Sequence, residues 1–255
     1  MGIKQILLSV VAMCGIVGAG AKPATEVVAH RGYWKAEGSA QNSVASLKKA
    51  IEIGARGSEC DVYITTDGVV VVHHDPTIDG KRIDESTYAA LKDCKLSNGE
   101  AIPTLDELLA IARKQKHTKL IIEIKSHNTQ EKEAAAVDAV LKLVKKNKMD
   151  KLVEYISFSQ NACERLIALS PKAKVAYLGS DLTPKQLSDK GYTGLDYHIG
   201  AMRAHEEWFD EAKQLGLEVN VWTVDDEPNM KWLIGKGVTY ITTDEPVMLQ
   251  KLLAE

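Results

Sequence analysis

The stretch Val27-Val28-Ala29-His30-Arg31-Gly32 ends a short apolar run with an imidazole, a guanidinium and a glycine. In three later stretches, charged or imidazole side chains again follow or lie within a short apolar run: Glu59-Cys60-Asp61, His74-Asp75 and Glu123-Ile124-Lys125. Short apolar runs bounded by turn residues are typical of buried strands. Because the functional groups of an α/β barrel lie at the carboxyl ends of its strands, the four stretches predict one shared site.

The rest of the chain alternates between apolar runs and helical patterns, which predicts repeated strand–helix units. Eight main strands are predicted to begin near residues 27, 58, 119, 153, 174, 193, 218 and 239. Eight such units in about 230 residues are typical of a (β/α)8 TIM barrel. The sequence contains no G-x-G-x-x-G motif and no linker rich in Gly, Ser or Pro. We therefore expect an α/β fold with a single barrel domain.

A small insertion is predicted after the second strand. Thr66-Asp67-Gly68 is typical of a hairpin turn, and its returning arm delivers His73-His74-Asp75. Residues 76–103 are polar and are expected to form a loop with one helical piece over 86–91. This hairpin and loop interrupt the otherwise regular alternation of strands and helices.

Capping residues and glycines predict where the helices begin and end. The first helix is predicted over 42–53, and Thr104-x-x-Glu107 and Thr183-Pro184-x-Gln186 are capping boxes that begin two later helices. Another helix is predicted over 227–234, with Gly235 as its carboxyl-terminal stop.

The first 21 residues differ from the rest of the chain. Lys4 precedes an apolar run that is followed by Ala19-Gly20-Ala21, the pattern of a secretory signal, rather than of a buried first helix. Residues 1–21 are therefore predicted to be a signal peptide and residues 22–255 the barrel domain, exported to the periplasm or secreted. Lipoprotein anchoring at Cys14 is the less favoured route, because Met13 is larger than the small residue usual before a lipidated cysteine.

Charge and cysteine content restrict the partners of this domain. The formal net charge of −3 argues against a nucleic-acid binder, which would normally carry a basic face. No second apolar run is long enough to span a bilayer, so we expect no stable membrane insertion of residues 22–255. Cys60, Cys94 and Cys163 allow at most one internal disulfide and match no zinc-site spacing. The oligomeric state is left open.

Three carboxylates are predicted to face the mouth of the barrel. Glu59 and Asp61 are two residues apart on one strand, as are Glu123 and Lys125 on the next main strand, so each pair shares a face. Either pair alone could be a solvated strand end or a salt bridge. Together they would be costly to bury without a ligand, and an all-oxygen set suits one divalent cation, Mg²⁺ or Ca²⁺.

These motifs, in this order, resemble the glycerophosphodiester phosphodiesterase family over essentially the whole of residues 22–255. The resemblance rests on the four stretches quoted first, with later support from Ile156-Ser157-Phe158, Val221-Trp222-Thr223-Val224 and Thr243-Asp244-Glu245-Pro246. One position departs from the family pattern, because Ala40-Gln41-Asn42-Ser43 stands where Pro-Glu-Asn-Thr is usual. The resemblance implies a TIM barrel that hydrolyses phosphoric diesters.

The resemblance also implies roles for individual residues. Glu59, Asp61 and Glu123 would bind the metal, Arg31 and Lys125 would neutralise the substrate phosphate, and His30 and His74 would be the acid–base pair. Imidazole suits both proton-transfer roles because its ordinary pKa lies near neutrality.

Two further side chains, those of Trp222 and His73, occur close to the predicted site residues or at the end of a predicted strand. Trp222 either walls the glycerol pocket or packs in the barrel. His73 neighbours His74 but is expected to face away from the site, since side chains alternate along a strand.

The expected reaction is metal-dependent hydrolysis of glycerophosphodiesters to sn-glycerol 3-phosphate and an alcohol. The first alternative is a barrel phospholipase of the C or D type that acts on lysolipid or inositol lipid. It would need an apolar lip, which residues 76–103 do not show. The second alternative is a non-catalytic protein that binds a phosphate ligand. The identity of the alcohol, the choice of Mg²⁺ or Ca²⁺, and the histidine that acts first are left open by the sequence.

If residues 1–21 are a signal peptide, the exported chain begins at Lys22. Expression of the full chain in a Gram-negative host followed by amino-terminal sequencing of the periplasmic protein checks this. Substitution of Ala21 by a bulky residue such as Phe is expected to slow cleavage, because signal cleavage needs small residues at that position. An exported protein that retains residues 1–21, or one that is lipid-modified at Cys14, would contradict the prediction.

Overall fold

The chain folds around eight parallel strands that close into a barrel. The structure is a computed structural model that describes residues 25–255, so the predicted signal peptide lies outside the described residues. The barrel strands are β1 (Glu26–Ala29), β2 (Gly57–Ile64), β6 (Lys119–Ile124), β7 (Val153–Ser157), β8 (Val175–Tyr177), β9 (Gly194–His198), β10 (Glu218–Trp222) and β11 (Tyr240–Thr243). They pair in chain order, and β1 closes the ring by pairing with both β2 and β11. The predicted TIM barrel is confirmed.

Helices surround the barrel and cover its outer face. They are α1 (Val44–Glu52), α2 (Tyr88–Leu91), α3 (Leu105–Ala112), α4 (Gln130–Lys146), α5 (Gln160–Leu169), α6 (Pro184–Asp189), α7 (Ile199–Ala204), α8 (Glu207–Leu215), α9 (Glu227–Lys236) and α10 (Pro246–Leu253). The capping boxes predicted at Thr104 and Thr183 are both formed. Among residues 25–255, no helix combines the length and the apolar content that crossing a membrane requires.

Alternation along each strand separates two apolar regions. In β6, Leu120, Ile122 and Ile124 point outward into the large core between the sheet and the helices. Ile121 points inward and joins a small cluster inside the barrel with Val28, among others. Because the period of a strand is two, the same inward face carries charged side chains where the strands end at the barrel mouth.

The insertion after β2 has its own small core. After the predicted turn, β3 (Val70–Val72) pairs antiparallel with β2. The expected polar loop also contains a two-stranded ribbon of β4 (Thr77–Ile78) and β5 (Lys81–Arg82), a 3-10 helix and α2. Its apolar side chains form a cluster separate from the barrel core, and that cluster includes Ile83, Leu91, Cys94 and Ile102. The predicted hairpin and loop insertion with one short helical piece is confirmed, and its apolar residues bury one another in a core that was not predicted.

Three local predictions need correction. Helix α1 begins at Val44 rather than residue 42, because Asn42 has a left-handed backbone (φ 59°) and Ser43 is the N-cap. Helix α9 continues through Gly235 and ends at Gly237, which adopts the left-handed conformation that stops helices. Helix α7 was not predicted, since it has six residues and its N-cap is His198 rather than a typical capping residue.

The described cysteines are all reduced. Cys60, Cys94 and Cys163 are buried and free, so the single disulfide that the count allowed is not formed. Burial raises the pKa of the Cys60 thiol and, to about 12, that of the Cys163 thiol. Buried neutral thiols of this kind act as small apolar side chains.

Gly32 is predicted to be indispensable for the turn that follows β1. Its φ is +76°, and an added Cβ would lie 2.4 Å from the Oγ atom and 2.7 Å from the backbone carbon of Ser46. Gly38 has the same left-handed backbone (φ +75°) but open space around it, which makes it a matched control. Gly38→Ala should cost only the left-handed penalty of about 1–2 kcal/mol. Gly32→Ala should lose roughly 1–3 kcal/mol more from the clash.

Urea unfolding of both variants measures this difference in the free energy of unfolding. Equal losses for Gly32→Ala and Gly38→Ala would show that the contact with Ser46 relaxes without cost.

Candidate active site

One pocket at the carboxyl ends of the barrel strands brings the predicted site residues together. It is a cleft open to solvent with a cavity volume of about 180 Å³. Its lining includes His30, Arg31, Glu59, His74, Glu123, Lys125 and Trp222. Asp61 lies beside this lining, with its carboxylate 3.1 Å from Lys125 Nζ.

The three predicted metal ligands converge in this site. One carboxylate oxygen from each of Glu59, Asp61 and Glu123 lies within 4.8 Å of the others, and all three residues are buried. Glu59 Oε2 accepts a hydrogen bond of 2.7 Å from the backbone N–H of Arg31, whereas Glu59 Oε1 is buried with no partner among the described residues. Three buried carboxylates this close together form an all-oxygen set that fits a divalent cation.

The electrostatics of the three carboxylates differ. Burial and repulsion by Asp61 raise the pKa of Glu123 to about 8, and burial with repulsion from both neighbours raises the pKa of Glu59. Burial acts in the same direction on Asp61, but Lys125 and a hydrogen bond from Asn42 hold the pKa of Asp61 below its usual range. Without a cation, burial therefore favours the protonated forms of Glu59 and Glu123, whereas Asp61 stays ionised beside Lys125.

Two cations border the carboxylate cluster. Lys125 Nζ lies 2.8 Å from Glu123 Oε1 as well as close to Asp61. Burial favours the neutral amine, but the two carboxylates outweigh it and raise the pKa of Lys125. Arg31 Nε lies 3.8 Å from Asp61 Oδ2, and its backbone is also left-handed, with a φ of 54°. Lys125 therefore remains charged at neutral pH, and both side chains line the pocket.

Gln41 directly contacts Arg31. Its Oε1 accepts a hydrogen bond of 2.6 Å from Arg31 Nη1. The neutral amide thus orients the guanidinium and leaves its charge uncancelled, whereas a carboxylate at the same position would offset that charge. The departure from the family pattern at residue 41 therefore leaves Arg31 with more of its positive charge for an anion.

His30 is held by a residue that the sequence did not single out. Its Nδ1 lies 2.8 Å from Asp244 Oδ1, which also accepts a hydrogen bond of 2.8 Å from Trp34 Nε1. Burial opposes ionisation of Asp244, yet these two hydrogen bonds keep its pKa below the usual range. An ionised Asp244 favours the proton on Nδ1 of His30, which leaves Nε2 as the ring's free acceptor.

His74 and its neighbour His73 take different positions. His74 lines the pocket, its Nδ1 lies 2.8 Å from Asp75 Oδ1, and burial lowers its pKa. His73 is outside the pocket lining, and its Nδ1 lies 2.9 Å from the backbone oxygen of Asp75. Both residues follow the end of β3 rather than lie on it, so alternation along a strand does not decide their directions, and His74 alone of the two lines the pocket.

Trp222 presents an apolar surface to the pocket. Its Nε1 donates a hydrogen bond of 2.9 Å to the backbone oxygen of Asp196. Its ring meets Phe158 edge to face, with 5.7 Å between the ring centroids, and Phe158 is 43% exposed at the mouth. Because the polar atom of Trp222 is already bonded, the indole can offer a ligand only its carbon surface.

Asn42 is a second residue that the sequence reasoning missed. Its Nδ2 donates to Asp61 Oδ2 at 2.8 Å, and its Oδ1 accepts from the backbone N–H of Asp61 at 3.0 Å. This double contact fixes the orientation of one carboxylate in the cluster. Its position could have indicated a role, because it is a polar residue in the segment between the first strand and its helix. The position of Asp244, directly after the last strand, could have done the same.

Comparisons with known proteins agree with this geometry. The model of the glycerophosphoryl diester phosphodiesterase family matches residues 30–248. A solved glycerophosphodiester phosphodiesterase from Parabacteroides distasonis is 50% identical, with a TM-score of 0.90 and coverage of 92% of this chain and 98% of that one. A curated glycerophosphodiester phosphodiesterase from Caldanaerobacter subterraneus is 29% identical over 90% of this chain and 98% of its own length.

A further solved structure shows a bound product. It is a phosphodiesterase from Oleispira antarctica in complex with sn-glycerol-3-phosphate, 25% identical to this chain, with a TM-score of 0.78. The alignment covers 91% of this chain and 98% of that one.

The barrel, its buried acidic cluster and the flanking cations and imidazoles define a TIM-barrel enzyme that acts on phosphoric diesters. The chain belongs to the glycerophosphoryl diester phosphodiesterase family. The family and enzyme class expected from the sequence are thereby confirmed.

Proposed function

We propose that this chain hydrolyses glycerophosphodiesters to sn-glycerol 3-phosphate and an alcohol with the help of one divalent cation. The observation that carries the proposal is the cluster of three carboxylate oxygens within 4.8 Å, in a site that also contains two imidazoles and two cations. The product seen in the Oleispira antarctica phosphodiesterase supports the same substrate class.

The cation would be held by Glu59, Asp61 and Glu123. The fit rests on Glu59 Oε1, a buried oxygen without a partner among the described residues, and on the purely oxygen character of the ligands. Mg²⁺ and Ca²⁺ both accept such ligands. When bound, the cation supplies Lewis-acid stabilisation of the charge that develops on the phosphoryl oxygens.

Arg31 and Lys125 would bind the phosphate. The planar guanidinium of Arg31 can donate two parallel hydrogen bonds to phosphate oxygens, and Gln41 orients it for that contact. Lys125, which contacts Asp61 and Glu123, supplies a second positive charge. These contacts would position the phosphorus atom between the two imidazoles.

His30 and His74 would transfer the protons of a two-step reaction. In the first step one imidazole takes the proton of the glycerol hydroxyl beside the phosphate. The hydroxyl oxygen then bonds to phosphorus, and the other imidazole protonates the departing alcohol. In the second step water opens the resulting cyclic phosphate with the two roles reversed. Asp244 would stabilise the imidazolium form of His30.

We further propose that the enzyme works outside the cytoplasm, in the periplasm or in secreted form. The support is the charge, apolar-run and small-residue pattern of residues 1–21.

Metal removal is expected to abolish activity. We expect residues 22–255 to release sn-glycerol 3-phosphate from glycerophosphocholine or glycerophosphoethanolamine. A chelator should lower the rate by at least about 100-fold, and Mg²⁺ or Ca²⁺ should restore it. The same cation should raise the thermal midpoint of the wild type, since a ligand at about 100 times its Kd stabilises by roughly 2.7 kcal/mol.

Two variants test whether the cation that raises the thermal midpoint binds at the carboxylate cluster. Glu123→Gln should lose most of this thermal shift, because one of the three charged ligands is gone. Glu131→Gln, which changes an exposed carboxylate on α4, should keep it. Full chelator-insensitive turnover, or an unchanged shift in Glu123→Gln, would show that the cluster is not the metal site.

The two imidazoles in the pocket are expected to be essential and their neighbour dispensable. His30→Ala and His74→Ala should each lower kcat by at least about 100-fold, the usual scale for a positioned acid or base. His73→Ala should remain within about tenfold of wild type, because its ring lies outside the pocket lining. Steady-state kinetics on glycerophosphoethanolamine provide the measurement. Near-normal turnover in either pocket variant would remove that residue from the mechanism.

A further inference from the structure

One polar side chain inside the barrel has no role in the mechanism above. Asp196, on β9, is 2% exposed, and its Oδ1 is buried without a hydrogen-bond partner among the described residues. It borders the active-site pocket on one side and a small cavity toward the amino ends of the strands on the other. Because buried polar atoms nearly always have a partner, this oxygen indicates a ligand that the pocket receives.

The neighbours of Asp196 are also polar. Thr242 lines the same pocket, and Asn220 Nδ2 donates a hydrogen bond of 2.8 Å to Thr242 Oγ1, whereas Asn220 Oδ1 has no partner among the described residues. The inner face of a TIM barrel is usually filled by branched apolar side chains, and Val28 and Ile121 occupy such positions here. Strands β9, β10 and β11 therefore carry neighbouring polar side chains beside the small apolar cluster inside the barrel.

The protonation of Asp196 suits recognition of a neutral hydroxyl. Burial raises its pKa to about 7, and Asn220 opposes this shift. Near neutral pH the carboxyl group can therefore accept a hydrogen bond or, when protonated, donate one. A hydroxyl group matches both states because it is both a donor and an acceptor.

Asp196 lies across the barrel from the carboxylate cluster. In the ring of eight strands, β9 is four strands from β2, which carries Glu59 and Asp61. Apolar side chains of Ile156, Leu178 and Trp222 line the pocket between the two sides. In a glycerophosphodiester, the reacting hydroxyl is next to the phosphate, and the terminal hydroxyl is one carbon farther away. A substrate with its phosphate at the cations would direct that terminal hydroxyl toward the opposite wall.

We propose that Asp196 is a specificity-determining residue that binds the terminal hydroxyl of the substrate's glycerol. This inference deepens the proposed function and rests on it. The carbon backbone of glycerol would pack against Trp222, whose polar atom is already bonded to the backbone of Asp196. The contact would distinguish glycerol diesters from diesters of shorter or less hydroxylated alcohols.

A substrate pair isolates the contact. Glycerophosphoethanolamine is compared with the phosphoethanolamine diester of propane-1,2-diol, which keeps the hydroxyl next to the phosphate but lacks the terminal one. Ethanolamine release reports on both substrates. Wild type is expected to prefer the glycerol diester by at least about tenfold in kcat/KM, because a missing hydroxyl leaves the buried carboxyl unpaired.

Variants of Asp196 test whether this residue causes the preference for the glycerol diester. Asp196→Ala should lower kcat/KM for the glycerol diester by at least about tenfold, yet change that for the propanediol diester by no more than about twofold. Asp196→Asn keeps the size and an acceptor oxygen, so it should retain part of the preference. Similar losses on both substrates would assign Asp196 a structural role and overturn the proposal.

The comparison of the two diesters with wild-type enzyme tests the proposal even if no variant folds. Equal turnover of the two diesters by wild type overturns the inference about Asp196 while it leaves the proposed function intact. No ethanolamine release from either diester, with Mg²⁺ or Ca²⁺ present, overturns the proposed function and this inference with it.

Discussion

The constraint on which the site depends is the burial of three carboxylates beside two cations at one end of a barrel. Removing such charges from water is costly unless partners replace the lost hydration. Lys125 and the backbone of Arg31 supply part of that replacement, and Asn42 fixes Asp61 by two hydrogen bonds. An all-oxygen set of this kind suits a divalent cation, and the Arg31 backbone, which is left-handed, donates its N–H to Glu59.

The pocket has two chemically different halves. Its charged half comes from β1, β2, β6 and the hairpin that carries His74, and its apolar half comes from β7, β8 and β10, with Phe158 and Trp222 at the mouth. A phosphodiester has the same division, since an anionic centre is flanked by carbon chains. The barrel achieves this match because each strand contributes one or two inward side chains at its carboxyl end.

The sequence was sufficient wherever the period of a strand determines the outcome. The eight strands and the inward direction of Glu59, Asp61, Glu123 and Lys125 follow from alternation and from the length of apolar runs. The pairing of His30 with Asp244 joins residues that are 214 positions apart, and no local pattern encodes it. The double contact of Asn42 requires a left-handed backbone that Asn adopts only in a suitable turn, so propensity alone could not assign it.

The separate apolar cluster of the insertion has a consequence for how this protein can change. The cluster that contains Ile83 and Leu91 also includes Tyr63 of β2 and Val71 of β3, so changes there act directly on one barrel strand and on the arm that carries His74. His74 and Asp75 lie within the insertion, where the chain leaves β3 at the rim of the catalytic pocket. The packing of the insertion and the position of one pocket imidazole are therefore coupled, and the rim cannot be remodelled without regard to the site.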